Sequence, residues 1–176
     1  MKREEPAGDW KTMQDDATGR TLTIHEPRAV PWLGVALGFG PMLPFVAGAA
    51  ASWTLGGEPS QAAVTLTLLW GCAILLFFSG VRRGVSFRTE GGATVAQIAT
   101  MMGLFVLGFG ALLAIALSRT GLAAALLVAG YGAVAVLDPI AARRGEAPLF
   151  FARLRPIQMP IAIASLVALL VLVARG

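Results

Sequence analysis

From residue 30 onward, long apolar runs alternate with short polar connections that carry most of the arginines. A helix that crosses a membrane needs about 20 mostly apolar residues, because a rise of ~1.5 Å per residue must cover ~30 Å of hydrocarbon. Five runs meet that length: residues 30–55, 62–81, 93–117, 122–142 and 157–174. None shows the period-two alternation of a barrel strand. Unpaired backbone groups in lipid cost several kcal/mol each, so these runs predict helices. The predicted fold is all-α, an integral membrane bundle of five transmembrane helices over residues 30–176. It follows a polar, mobile tail over residues 1–29, where only the alternation Thr21-Leu22-Thr23-Ile24 suggests local order. Trp32 and Trp53 frame the first run at a helical separation of about 31 Å, the thickness of the hydrocarbon, and read as interface anchors. Trp70 falls in the middle of the second run and is expected to pack against another helix.

Composition narrows the class. Hydrophobic residues make up 56% of the chain and charged residues only 14%, where soluble domains carry roughly 25% charged positions. A water-soluble enzyme, a disordered regulator and a disulfide-stapled secreted module are excluded; the single cysteine, Cys72, lies inside an apolar run. An isoelectric point near 10.2 suggests nucleic acid at first sight, but the placement of the charges explains it otherwise. Lys2, Arg3, Lys11, Arg20 and Arg28 precede the first run. Arg82, Arg83 and Arg88 fill the second connection, and Arg143, Arg144, Arg153 and Arg155 the fourth. Only Arg119 and Arg175 fall on the other side, leaving twelve of the 14 basic residues on one side. The positive-inside rule then predicts a cytoplasmic N-terminus, an outer C-terminus and a bacterial inner (plasma) membrane location, with no nucleic-acid partner. The tail is too long and too acidic for the basic region of a signal peptide, so no cleavage is expected at the small residues 48–51.

Embedded chemistry is sparse. Asp138 is the one acidic residue within a run, and ionisable groups in a membrane are costly enough to be functional suspects. It lies toward the cytoplasmic end, before Pro139 and near Arg143 and Arg144. An ion pair with an arginine of that loop or with Arg82 is favoured over a proton or ion relay. Pro41 and Pro44 each remove a backbone donor and should kink or unwind the first helix. Such breaks line substrate sites in transporters, although a kink packed inside a bundle is the plainer reading. Gly34 and Gly38 share one helix face, and Gly80, Gly84 and Gly108 are further candidates for close helix packing. One reading has Phe150 and Phe151, with Leu149 and Leu154, form the lipid side of a short helix from which Arg153 and Arg155 reach phosphate head groups, although the plainer reading is that these arginines only set topology. Arg82 and Arg83 add to this basic face. No catalytic constellation, metal-ligand spacing or cofactor motif is found, and the only histidine, His25, lies in the tail.

Three segments carry a family resemblance. Pro31-Trp32-Leu33-Gly34 with Gly40-Pro41-Met42-Leu43-Pro44-Phe45 resembles the opening span of the family catalogued as domain of unknown function 3429, which includes transmembrane protein 69-like members. The run from Ile74 to Gly84 resembles that family's turn out of the second span, with Arg82 and Gly84 matching; Arg83 stands in place of tryptophan and Ser79 in place of glycine. Leu149-Phe150-Phe151-Ala152-Arg153-Leu154-Arg155 resembles its aromatic pair before the last span. The resemblance covers roughly residues 31–172 and implies a five-span inner-membrane protein; the family supplies no catalytic residue. The chain is thus expected to be a non-catalytic accessory or assembly subunit of a membrane complex, respiratory complexes included, or a homo-oligomer. The alternatives are a small ion or solute transporter using the Pro41/Pro44 break and Asp138, and a binder of anionic lipids through the basic loops. The topology has a direct test: a reporter fused after Gly176 should be active only if it functions outside the cytoplasm, and activity of a cytoplasm-dependent reporter there would reverse the orientation.

Overall fold

The computed structural model describes residues 11–15, 20–24, 32–87, 93–143 and 151–175. In the N-terminal tail, β1 (Lys11–Asp15) and β2 (Arg20–Ile24) pair antiparallel, Lys11 opposite Ile24 and Asp15 opposite Arg20. The alternating Thr21–Ile24 stretch thus has a partner strand. The helices are α1 (Trp32–Phe39), α2 (Leu43–Thr54), α3 (Gly57–Ser86), α4 (Val95–Ala116), α5 (Thr120–Arg143) and α6 (Phe151–Arg175). A 3-10 turn at Gly40–Met42 joins α1 to α2. Five spans are long and apolar enough to cross a membrane: Val35–Thr54, Gly57–Ser86, Val95–Ala116, Thr120–Arg143 and Leu154–Arg175. The chain is a multi-pass helical membrane protein.

The spans close on themselves. Each packs against its neighbours in the order α2, α3, α4, α5, α6, contact between α6 and α2 completes the ring, and α3 meets α5 across the middle. The interior holds Phe45, Leu68, Leu75, Leu104, Leu127, Tyr131, Met159, Leu166 and Leu169. Its centre is aromatic: the Phe45 and Tyr131 rings meet edge-on at 5.3 Å, and Phe78 approaches Tyr131 at 6.4 Å. The Tyr131 hydroxyl donates to the Gly71 carbonyl at 2.9 Å, satisfying a group that would otherwise be stranded in a dry core.

Element ends follow local chemistry that a hydropathy scan does not weigh. The α3 helix starts five residues before the apolar run because Pro59 is tolerated in a first turn and Glu58 faces the positive end of the helix dipole. Thr94 caps α4 through a reciprocal box: its hydroxyl accepts from Gln97 N–H, and the Gln97 carboxamide oxygen accepts from Thr94 N–H. The α4–α5 turn is a Schellman closure, with Arg119 N–H donating to Ala114 and Ser118 N–H to Ile115 around a left-handed Ser118 at φ 57°. The short amphipathic helix expected before the last span is not a separate element. The α6 helix runs unbroken from Phe151 through Pro156 and Pro160.

In lipid, water does not drive helices together, so close van der Waals approach has to. A side-chain carbon on Gly108 would lie 3.1 Å from Leu76, and one on Gly130 would lie within van der Waals radius of Leu75; Gly38 is likewise filled by Gln158. Gly80 and Gly84 correct the expectation: both are exposed, with open space where a side chain would stand, because they point away from the neighbours of α3. The burial surroundings of Gly34 lie outside the described residues. Gly130→Ala should therefore overpack the core and cost about 1–3 kcal/mol, while Gly80→Ala should be neutral or slightly stabilising. Reversible unfolding in mixed micelles measures both; equal effects would contradict this assignment of packing faces.

Candidate functional site

One carboxylate organises the arginine-rich end of the bundle. Asp138, buried near the end of α5, accepts a hydrogen bond from Arg82 of α3 on Oδ1. Its other oxygen, Oδ2, lies 3.0 Å from Nε of Arg155 on α6. Arg82 also donates to the Thr100 hydroxyl of α4 at 2.9 Å, and that hydroxyl donates to the Ala96 carbonyl. Four spans thus converge on a single buried group. All three ionic side chains are largely withdrawn from solvent, with 6% of Asp138, 9% of Arg155 and 15% of Arg82 exposed.

The geometry answers part of the cost of charge in a low-dielectric setting: one carboxylate serves two guanidiniums, and Arg82 Nε has no hydrogen-bond partner among the described residues. An isolated buried ion loses several kcal/mol of hydration, which only close counter-ions and full hydrogen bonding recover. Arginine suits this position because its planar fork can reach two acceptors and also stack. Arg155 combines an ion pair with stacking, its guanidinium sitting 4.1 Å above the Phe78 ring as well as against Asp138. Nearby, Ser79 donates to the Met101 carbonyl at 2.9 Å, adding a second α3–α4 tie.

Residues singled out by the sequence fall into three groups. Asp138 and Arg82 are brought together, while Arg143 lies exposed at the end of α5. Arg155 is a correction: it was expected on a lipid-facing side with Arg153, and it points inward because Asp138 and the Phe78 face meet it there. Arg83 remains outside, exposed and 4.2 Å over the Phe87 ring of its own helix. Phe150, Arg88 and Arg144 lie outside the described residues, as do the side chains of Phe151 and Arg153.

The proline break forms as expected and is closed by its surroundings. Pro41 lies within the 3-10 turn and Pro44 in the first turn of α2, Leu43 N–H donates to Gly40, and the Trp70 indole donates to the Pro41 carbonyl at 2.9 Å. Trp70 thus meets another helix, and one of the carbonyls at the break has a partner. Sequence reasoning assigned no role to Phe78, Thr100 or Gln158. The last has a fully buried carboxamide whose nitrogen and oxygen lack hydrogen-bond partners among the described residues. The signal for it was available, since Arg155 and Gln158 are three residues apart and share a helix face.

No metal-binding group of histidine, cysteine, aspartate or glutamate occurs among the described residues. The chain matches no family model, no curated protein and no solved structure. The likeness to the family named above stands on its sequence motifs alone.

Removing the carboxylate would leave two guanidiniums facing each other in the bundle. Asp138→Asn should therefore cost about 3–5 kcal/mol, and Asp138→Glu less. The exposed Arg83→Gln should stay within about 0.5 kcal/mol. Unfolding of detergent-solubilised protein measures the series; an unchanged Asp138→Asn would show that the cluster does not hold the helices.

Proposed function

We propose that this protein is a non-catalytic accessory or assembly subunit of a bacterial inner-membrane complex, respiratory complexes among the candidates, that acts by binding a membrane partner. The observation that carries the reading is the contrast between a spent interior and an unspent helix face. Asp138 is engaged by two arginines and the proline break by Trp70 and its own turn. A carboxylate shared between two guanidiniums is poorly suited to loading and releasing a proton or a cation, which counts against the transporter alternative.

Exposed apolar residues occur on every span, and the most extended such face among the described residues is that of α4. Val95, Ile98, Met102, Phe105, Phe109 and Leu113 are exposed along it at spacings of three and four residues. Phe105 and Phe109 stack at 5.9 Å with nearly parallel rings. That spacing is the seam on which one transmembrane helix lies against another. The partner is accordingly a transmembrane helix of another subunit, or of a second copy of this chain, packed along α4.

Site-specific photocrosslinking in native membranes tests this reading. A crosslinker at Met102 or Phe109 should give one discrete adduct identifiable by mass spectrometry, and one at Leu66, exposed on α3, should give none. Phe105→Ala with Phe109→Ala should lower partner recovery in mild detergent by at least about tenfold, as loss of two aromatic anchors implies. Adducts only to lipid from every position, with a homogeneous monomer on purification, would overturn the proposal.

A further inference from the structure

The opposite end of the bundle, remote from the charge cluster, holds a cavity of about 540 Å³ that the reading above does not use. It opens where α2 ends, α3 and α5 begin and α6 finishes, so it sits at the boundary where these spans leave the apolar layer. Its size falls within the range of small-molecule and lipid-fragment sites. The walls divide by chemistry. Leu55, Val64, Leu172 and Val173 supply apolar surface, and no charged residue lines it.

The hydrogen-bonding groups define what would fit. Ser60 donates to the Ser52 carbonyl at 2.7 Å, Thr65 to Gln61 at 3.0 Å and the Trp53 indole to Ala168 at 3.2 Å. Those protons are spent on the protein's own backbone. Gln61 and Thr120 are different, since neither side chain is hydrogen-bonded to another described residue, so each retains a donor for a guest. Just beyond the lining, the Arg175 guanidinium lies 5.5 Å from the centre of the Trp53 ring. Uncharged donors among apolar walls, with a cation at the rim, match one kind of molecule. Ester carbonyls would accept from Gln61 and Thr120, acyl chains would follow the aliphatic wall, and a phosphate would reach Arg175.

We infer that this cavity is a specific binding site for one membrane phospholipid, held by its glycerol-ester region with the phosphate directed to Arg175. The α4 seam plays no part in it, so either assignment can fail without the other.

Native mass spectrometry of protein reconstituted with equal parts phosphatidylethanolamine and phosphatidylglycerol, then stripped in a delipidating detergent, tests the site. Wild type should retain one phospholipid. Gln61→Leu with Thr120→Val, which removes both donors at nearly constant volume, should lower retention by about tenfold, the scale of one to two lost hydrogen bonds. Thr65→Trp, which places an indole in part of the cavity, should also lower it, and Val106→Trp on the exposed face of α4 should leave it unchanged. Helicity by circular dichroism confirms folding of each variant; should Thr65→Trp not fold, the double variant decides. Arg175→Gln should lower retention of both phospholipids. Because each lipid carries the phosphodiester, loss of both in that variant supports phosphate contact at Arg175. Retention insensitive to Gln61 and Thr120, or absent from wild type, overturns the site. Loss in the double variant with no effect of Arg175→Gln overturns the phospholipid assignment in favour of an uncharged amphiphile.

Discussion

A charge in a membrane protein has to be answered locally, because neither bulk water nor mobile counter-ions reach it at low cost. Asp138 meets that requirement with Arg82 on one oxygen and Arg155 on the other. Its two partners lie on different helices, and Arg82 reaches a third through Thr100. The result is a directional fastening among spans whose other contacts are mostly non-directional van der Waals packing, with single hydrogen bonds such as Tyr131 to Gly71 and Ser79 to Met101. In hydrocarbon the hydrophobic effect does not distinguish a helix neighbour from a lipid tail. A polar knot of defined geometry therefore fixes which helices meet, and at what depth, more sharply than apolar surface does.

The rest of the core is compatible with that knot. Phe78 serves both halves, with Arg155 over its face and Tyr131 at its edge. Tyr131 in turn bonds to the Gly71 carbonyl, so the aromatic centre is pinned to α3 as the charged end is. Small residues set the spacing: Gly108 and Gly130 let Leu76 and Leu75 sit against helix backbone. A chain with 21 glycines offers many such places, and only geometry separates those that pack from those, like Gly80 and Gly84, that face outward.

The two ends of the bundle differ in kind. One end holds two guanidiniums paired with one carboxylate inside the structure. The other holds hydroxyls, a carboxamide and an indole around open space, with Arg119 and Arg175 as its basic residues. This asymmetry separates a part of the molecule that maintains architecture from a part with unspent hydrogen-bonding capacity. The exposed α4 seam lies between them, within the apolar layer, where only another helix or lipid can cover it.

Five spans and their approximate positions were legible in the sequence, because length and apolarity alone decide whether a segment can cross a membrane. Asp138 was legible as a suspect for the same reason, and Arg82 as one of its neighbours, since a lone acid within an apolar run demands a counter-ion. The interruption of the first helix followed from the missing amides of Pro41 and Pro44. The inward turn of Arg155 was not legible. Twelve basic residues on one side look alike to a rule that counts charge, and a flanking arginine is as compatible with a lipid phosphate as with a buried carboxylate. Choosing between them required the separation of α5 and α6 and the position of Phe78, which no local pattern carries. The interface cavity was equally hidden: Gln61, Thr120 and Val173 are far apart in sequence and meet only because the ring of helices closes between α2 and α6. Apolarity and backbone chemistry act along the chain and can be read from it, whereas counter-ion choice and cavity formation depend on distances between helices that only packing sets.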